Sequence, residues 1–232
     1  LLESLNNPIY KIASFEINHI PLLKYIAKTG KPVIMSTGAS SLSEIAEAVN
    51  VLKREGCENL TLLKCTSTYP ATAENSNLNT IPHLKELFNC EVGLSDHTIG
   101  IGVAVAAIAK GANVIEKHFC LDRSEGGVDS AFSLEPHEMK LLVEKVRGIE
   151  VALGSADKFV SDAAMKNAQV AKKSIMAKAD IAIGEVFSET NLCIRRPGTG
   201  LSPMHWDAVI GQQAKKNYSK GVIIDTNEIE AI

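Results

Sequence analysis

Two short runs hold the residues best suited to chemistry: Gly93-Leu94-Ser95-Asp96-His97-Thr98 and Val114-Ile115-Glu116-Lys117-His118-Phe119. Each apolar stretch reads as a buried strand that ends on a histidine, with polar residues crowded at the same end. In parallel α/β sheets ligands collect outside the carboxyl ends of strands. His97 and His118 at neighbouring strand ends can therefore share a metal ion. Either histidine alone reads equally well as a packed core residue. The two together, beside Ser95 and Asp96, point to a site.

The elements that must position them follow a repeating order. Strands are predicted at 8–14, 32–36, 60–65, 91–94 and 113–119. Helices are predicted at 21–29, from about 42, at 77–88, at 99–110 and at 136–153. Ser41 and Glu44 form a capping-box pattern, and Ile45, Val49 and Leu52 follow at helical spacing. Pro136 opens the last of these helices. Five strands alternating with helices at this interval indicate βα units in a parallel sheet covered on both faces. Lys11, Lys64, Glu116 and His118 interrupt otherwise apolar strands. Their recurrence on several strands reads as one shared polar site.

The pattern weakens between about 154 and 173. Beyond it come short β-like runs at 174–177, 191–195 and 221–224, separated by turns rich in Gly, Pro, Asn and Asp. The expected organisation is residues 1–154 in the large domain, a linker at 155–171, and a small domain at 172–232.

The chain has 232 residues, 45% of them hydrophobic and 22% charged, an ordinary globular balance. A formal net charge of −3 gives no electrostatic case for nucleic acid or an anionic membrane surface. No apolar run approaches the ~20 residues of a membrane span. Five cysteines, an odd number without a CxxC pair, suit buried small hydrophobes in a reducing cytosol better than a disulfide frame. The chain opens on Leu1 and runs abruptly into a strand, so an upstream portion is expected.

The runs YKIASFEINHIPLLKYIAKTGKPVIMSTG, KCTSTYPA, VGLSDHTIG, VIEKHF and RRPGTG, in this order and spacing, resemble the sialic acid (nonulosonic acid) synthase family. The resemblance covers nearly the whole chain. It implies an α/β fold: a (β/α)8 TIM-type barrel, of which this chain holds strands four to eight, followed by a small antifreeze-like (SAF) domain. Gly126 to Pro136, GGVDSAFSLEP, resembles the pseudaminic acid synthase version of this loop.

The reaction implied by the resemblance condenses phosphoenolpyruvate with an open-chain acetamido sugar and releases phosphate. It also implies a manganese or magnesium ion, with His97 and His118 as ligands. Lys11, Ser14, Ser36 and Ser95 match residues that bind phosphoenolpyruvate; one cation and three hydroxyls suit a phosphate. Ser67 stands where relatives often carry Asn. Glu16 matches a carboxylate that acts near the reacting carbons, although Phe15 replaces the glycine that precedes it. Tyr69 and Asp129 match residues around the sugar. Arg196 matches an arginine that the small domain delivers to a partner chain's site, which implies a homodimer; the cysteine pattern leads us to expect a cytoplasmic location. Other readings are an N-acetylneuraminate or legionaminate synthase and, from another class, a non-catalytic glycan-binding fragment.

Overall fold

The structure, a computed structural model, describes residues 2–228. The chain divides into two compact units, Leu1–Gly154 and Ser155–Ile232.

In the first unit, β1 (Tyr10–Ile12), β2 (Val33–Ser36), β3 (Leu60–Cys65), β4 (Glu91–Asp96) and β5 (Ile115–Lys117) form one parallel sheet in chain order. Helices α1 (Ile20–Ala27), α2 (Leu42–Arg54), α3 (Thr80–Phe88) and α4 (Gly102–Ala109) join successive strands, and α5 (Pro136–Leu153) follows β5. Neighbouring parallel strands need such crossovers. A flat sheet would hold β1 and β5 about 19 Å apart. Yet Lys11 Nζ on β1 lies 3.3 Å from Glu116 Oε2 on β5, so the sheet is curled into half of a barrel.

Alternation along the strands sorts their side chains into two sets. Ile12, Met35, Leu62, Leu94 and Ile115 face the helices and join a core with Leu23, Leu52 and Ile81. The other set faces the concave side. There Gly93 permits close packing, because a Cβ at its position would lie 2.3 Å from the Val114 carbonyl and 2.7 Å from Leu63 Cδ2.

Local chemistry places the helices. The Ser41 backbone N–H donates to Glu44 Oε2 at 2.7 Å and closes the capping box of α2. Glu135 and Glu138 form a second box around Pro136 at the start of α5. Regular pairing in β1 and β5 covers three residues each, shorter than the expected 8–14 and 113–119, since each is paired on one side only. β4 instead runs past Leu94 to Asp96, because Asp96 finds a buried cation on β5.

The second unit contains α6 (Asp162–Ala171), an antiparallel pair of β6 (Ser174–Ala177) and β7 (Leu192–Arg195), and the single turn α7 (Trp206–Val209). Ile175, Ile181, Phe187, Leu192, Tyr218 and Ile224 make its core. The β-like run at 221–224 contributes one isolated bridge, Met176 to Ile223, rather than a strand. Among the described residues no helix is long and apolar enough to cross a membrane.

Candidate active site

The concave face carries a polar layer at the carboxyl ends of β1 to β5. Lys11 Nζ donates to Ser36 Oγ at 2.6 Å, and Ser95 Oγ donates to Glu116 Oε1 at 2.7 Å. Glu116 thus ties β1 to β4 across the curl. In the sequence it stood out only as a charge in a strand; its contacts make it part of the layer. Ser14, buried in the turn after β1, accepts the Gly38 N–H at 3.0 Å. Cys65 Sγ lies 3.8 Å from Ser67 Oγ. Ser14, Ser67 and Ser95 therefore gather around the Cys65 thiol, and Ser36 bonds Lys11, which meets Ser95 through Glu116. A concentration of hydroxyl donors, a backbone N–H and one ammonium suits an oxyanion.

Gly38 is fitted to this arrangement. An added Cβ would lie 2.2 Å from Ser67 Oγ, 2.9 Å from Cys65 Sγ and 3.1 Å from Ser14 Oγ. Gly38→Ala is expected to cost about 1–3 kcal/mol of stability through this overcrowding. A thermal melt should show a fall of several degrees. An unchanged midpoint would mean that Ser67 and Cys65 move aside freely.

His97 and His118 stand at the outer edge of the layer, with ring centroids 5.2 Å apart. Strand register puts them side by side, since Asp96 pairs with Lys117 one position earlier. Their backbones are pinned by the loops. Ala71 N–H donates to the His97 carbonyl, and Leu134 N–H to the His118 carbonyl, both at 2.9 Å. Tyr69 lies 4.4 Å from the His97 ring and Phe132 lies 5.0 Å from the His118 ring, centroid to centroid. Phe132 had no distinguishing signal in the sequence, because only the fold of the loop after β5 brings it here.

Each Nδ1 atom has an oxygen beside it. His97 Nδ1 is 3.1 Å from the Thr66 carbonyl, and His118 Nδ1 is 3.6 Å from Asp129 Oδ2. A carbonyl can only accept, so the His97 contact requires a proton on Nδ1, and in the neutral ring Nε2 then keeps its lone pair. This is the usual preparation of a metal-ligating imidazole. Burial and the neighbouring His97 charge lower the His118 pKa, which favours the neutral form a ligand needs. Burial opposes protonation of His97, but the adjacent Cys65 and the Thr66 carbonyl outweigh it and raise its pKa. For Cys65, burial opposes ionisation; hydrogen bonds from His97, Ser14, Ser95 and Ser67 prevail and bring the thiol down to about 7.

Two further residues singled out in the sequence are exposed. Glu16 is exposed on the turn after β1, where it lines a cavity of about 320 Å³ with Tyr10, Lys11 and Tyr25. Arg196 is exposed in the second unit, directly after β7. A further group of possible ligands, Glu135, His137 and Glu138, gathers at the start of α5. Arg123 already pairs with both of its carboxylates, to Glu138 at 2.5 Å and Glu135 at 3.5 Å.

The NeuB family profile matches residues 1–158, and the SAF domain profile matches residues 172–230. The chain belongs to the NeuB family. An N,N'-diacetyllegionaminic acid synthase of Campylobacter jejuni is 46% identical over 226 residues, which cover 97% of this chain and 68% of that protein. A pseudaminic acid synthase of Campylobacter jejuni is 45% identical over 212 residues, 91% of this chain and 62% of that protein. The crystal structure of an N-acetylneuraminic acid synthetase from Leptospira borgpetersenii, in complex with citrate, superposes with a TM-score of 0.68. It is 37% identical and covers 72% of this chain and 58% of its own. The NeuB match coincides with the half-barrel and the SAF match with the second unit. The chain spans about two thirds of the length of these curated relatives.

Proposed function

We propose that this chain belongs to a nonulosonic acid synthase that condenses phosphoenolpyruvate with an acetamido sugar. The observation that carries this reading is the meeting, at one end of the half-barrel, of a lysine–serine layer suited to phosphate with a prepared histidine pair. Relatives at 46% and 45% identity bear names of legionaminic and pseudaminic acid synthases, which supports the same chemistry.

In this reading the Lys11 ammonium and the hydroxyls of Ser14, Ser36, Ser67 and Ser95 hold the phosphoenolpyruvate anion. Its enol carbon forms a bond to the sugar aldehyde carbon. Water then adds at the adjacent carbon, the bond from that carbon to the phosphate oxygen breaks, and phosphate leaves. His97 and His118, with both Nδ1 atoms beside oxygens, would hold a divalent ion, manganese or magnesium in this reading. Such an ion would supply Lewis acidity at the aldehyde oxygen. Tyr69 lines the sugar side against His97, and Asp129 orients His118. Glu16 is a candidate base that reaches the reacting carbons only if its turn moves inward.

For the sugar we favour 2,4-diacetamido-2,4,6-trideoxy-L-altrose, the pseudaminic branch, on the loop Gly126 to Pro136. The legionaminic branch is the second reading, favoured by the 46% identical relative. A competition assay on the whole polypeptide separates them. Phosphate release should be fastest with the L-altrose sugar; faster turnover of the legionaminic precursor or of N-acetylmannosamine would move the chain to another branch.

We also place Arg196 in a partner chain's site, in a twofold homodimer. Two variants, His97→Ala and Arg196→Ala, are each expected to be nearly inactive. Mixed dimers should regain activity, because one of the two sites is then whole. No recovery in proven mixed dimers would mean that Arg196 serves its own chain or none.

A further inference from the structure

The substrate-facing chemistry described above leaves a group of buried charges unused. Asp96 and Lys117 each expose 1% of their side chains, with Lys117 Nζ 2.8 Å from Asp96 Oδ2. By strand alternation they lie on the helix-facing side of β4 and β5, opposite Ser95, His97, Glu116 and His118. Their side chains, almost fully buried there, are therefore not placed to bind a substrate, although Lys117 borders the pocket lined by Ser95, His97, Glu116 and His118. We propose that this ion pair is the positioning device for His97 and His118: it fixes the ring placement and the His97 tautomer, and so sets the affinity of the pair for a divalent ion. The part concerning metal affinity rests on the reading given under Proposed function.

The hydrogen bonds support this directly. Asp96 Oδ1 accepts the Thr98 N–H at 2.9 Å and the Thr98 hydroxyl at 2.8 Å. Lys117 Nζ also donates to the Thr98 carbonyl. His97 is thereby held between two residues that are both anchored to β5, and His118 directly follows the anchoring lysine. Asp96 and Lys117 form the last rung of the β4–β5 ladder. Beyond it no ladder hydrogen bonds would hold the two histidines in step.

A third buried charge completes the frame from the other side. Lys64 on β3 donates to Thr66 Oγ1 at 2.5 Å, and the Thr66 hydroxyl donates to the Asn75 carbonyl at 3.1 Å. The Thr66 carbonyl is the acceptor beside His97 Nδ1. One side of the frame places the imidazole and the other places its acceptor. A slip of either would free the ring to exchange tautomers or to turn.

Stability alone does not account for the choice of residues. A buried ion pair is often no more stabilising than apolar residues of the same volume. A charged pair, unlike an apolar one, is directional and fixes register.

The test uses the full chain labelled with 15N-histidine, without metal, at about pH 8, where ordinary imidazoles are neutral. Ring-nitrogen shifts report the tautomer, and Mn2+ titration reports affinity. In the wild type His97 should be the Nδ1–H tautomer. In Asp96→Asn/Lys117→Met, which removes both partners of the ion pair, His97 should show mixed tautomers and Mn2+ affinity should fall roughly tenfold to a hundredfold. Lys117→Arg, which keeps the ion pair, should stay close to wild type. Circular dichroism confirms that each variant is folded, and Lys64→Met offers a second route should the double variant unfold. A folded variant with wild-type tautomer and wild-type Mn2+ affinity would overturn the proposal. A wild type that does not bind Mn2+, but whose tautomer still depends on the ion pair, would overturn the metal reading and leave the positioning inference standing.

Discussion

Replacing His97 and His118 together with alanine is expected to abolish divalent-ion binding and, with it, phosphate release. The two rings stand 5.2 Å apart between centroids, and each carries an oxygen beside Nδ1. Both Nε2 atoms are then the available donors. Removing one imidazole leaves a single neutral ligand, too weak to hold manganese or magnesium against water. Removing both leaves the Cys65 thiol and oxygen groups, all of which have other partners. Lewis-acid polarisation supplies several kcal/mol of transition-state stabilisation. On that scale turnover should fall by roughly three orders of magnitude or more. Chelation of the wild type should give the same loss, reversible with manganese or magnesium. Unchanged turnover by the double variant in chelator would remove the metal from the mechanism and reassign the histidines to packing.

How legible this site was in the sequence depends on what each residue had to signal. Apolar strand cores gave their positions away, because Val33, Leu62 and Val92 lie in short, mostly apolar runs and stay buried. The capping box of Ser41 and Glu44 was equally plain, since its contacts are local. Residues whose meaning lies in a partner far along the chain were not legible. Asp96 read as the polar end of a strand, yet it is a buried rung of β4, because Lys117 lies 21 positions away and directly across from it. Glu116 read as a strand exception, and only the curl of the sheet brings it to Lys11. Cys65 read as a small hydrophobe; the fold surrounds it with Ser14, Ser67, Ser95 and His97, and its thiol is acidified accordingly. At 221–224 the run does pair with β6, through Ala177 N–H to the Val222 carbonyl and Ile224 N–H to the Ile175 carbonyl, but as the single bridge of Met176 to Ile223 rather than as a strand.

Lys11→Ala is expected to raise the Michaelis constant for phosphoenolpyruvate while leaving that for the sugar nearly unchanged. Lys11 sits in the middle of β1, with its ammonium 2.6 Å from Ser36 Oγ and 3.3 Å from Glu116 Oε2. The Glu116 carboxylate is thus held by Lys11 and by Ser95 together, two of the groups assigned to phosphate. An arriving phosphoenolpyruvate must compete with that carboxylate for Lys11, and its higher charge favours it. Truncating one partner of a desolvated charge pair costs about 2–5 kcal/mol. The Lys11 side chain is 35% exposed in the half-barrel, and solvent screening of this kind argues for the lower end. About 2 kcal/mol corresponds to roughly a thirtyfold rise. Lys11→Arg keeps the charge but not the compact ammonium, so it should recover only part of the loss. Calorimetry with phosphoenolpyruvate separates binding from turnover. Wild-type affinity in Lys11→Ala would make the lysine a structural partner of Glu116 and move the phosphate away from β1. Paired with Glu116→Gln, the same titration shows which contact matters. If the carboxylate competes for Lys11, Glu116→Gln should bind phosphoenolpyruvate more tightly than wild type, and this gain should vanish when Lys11 is also replaced.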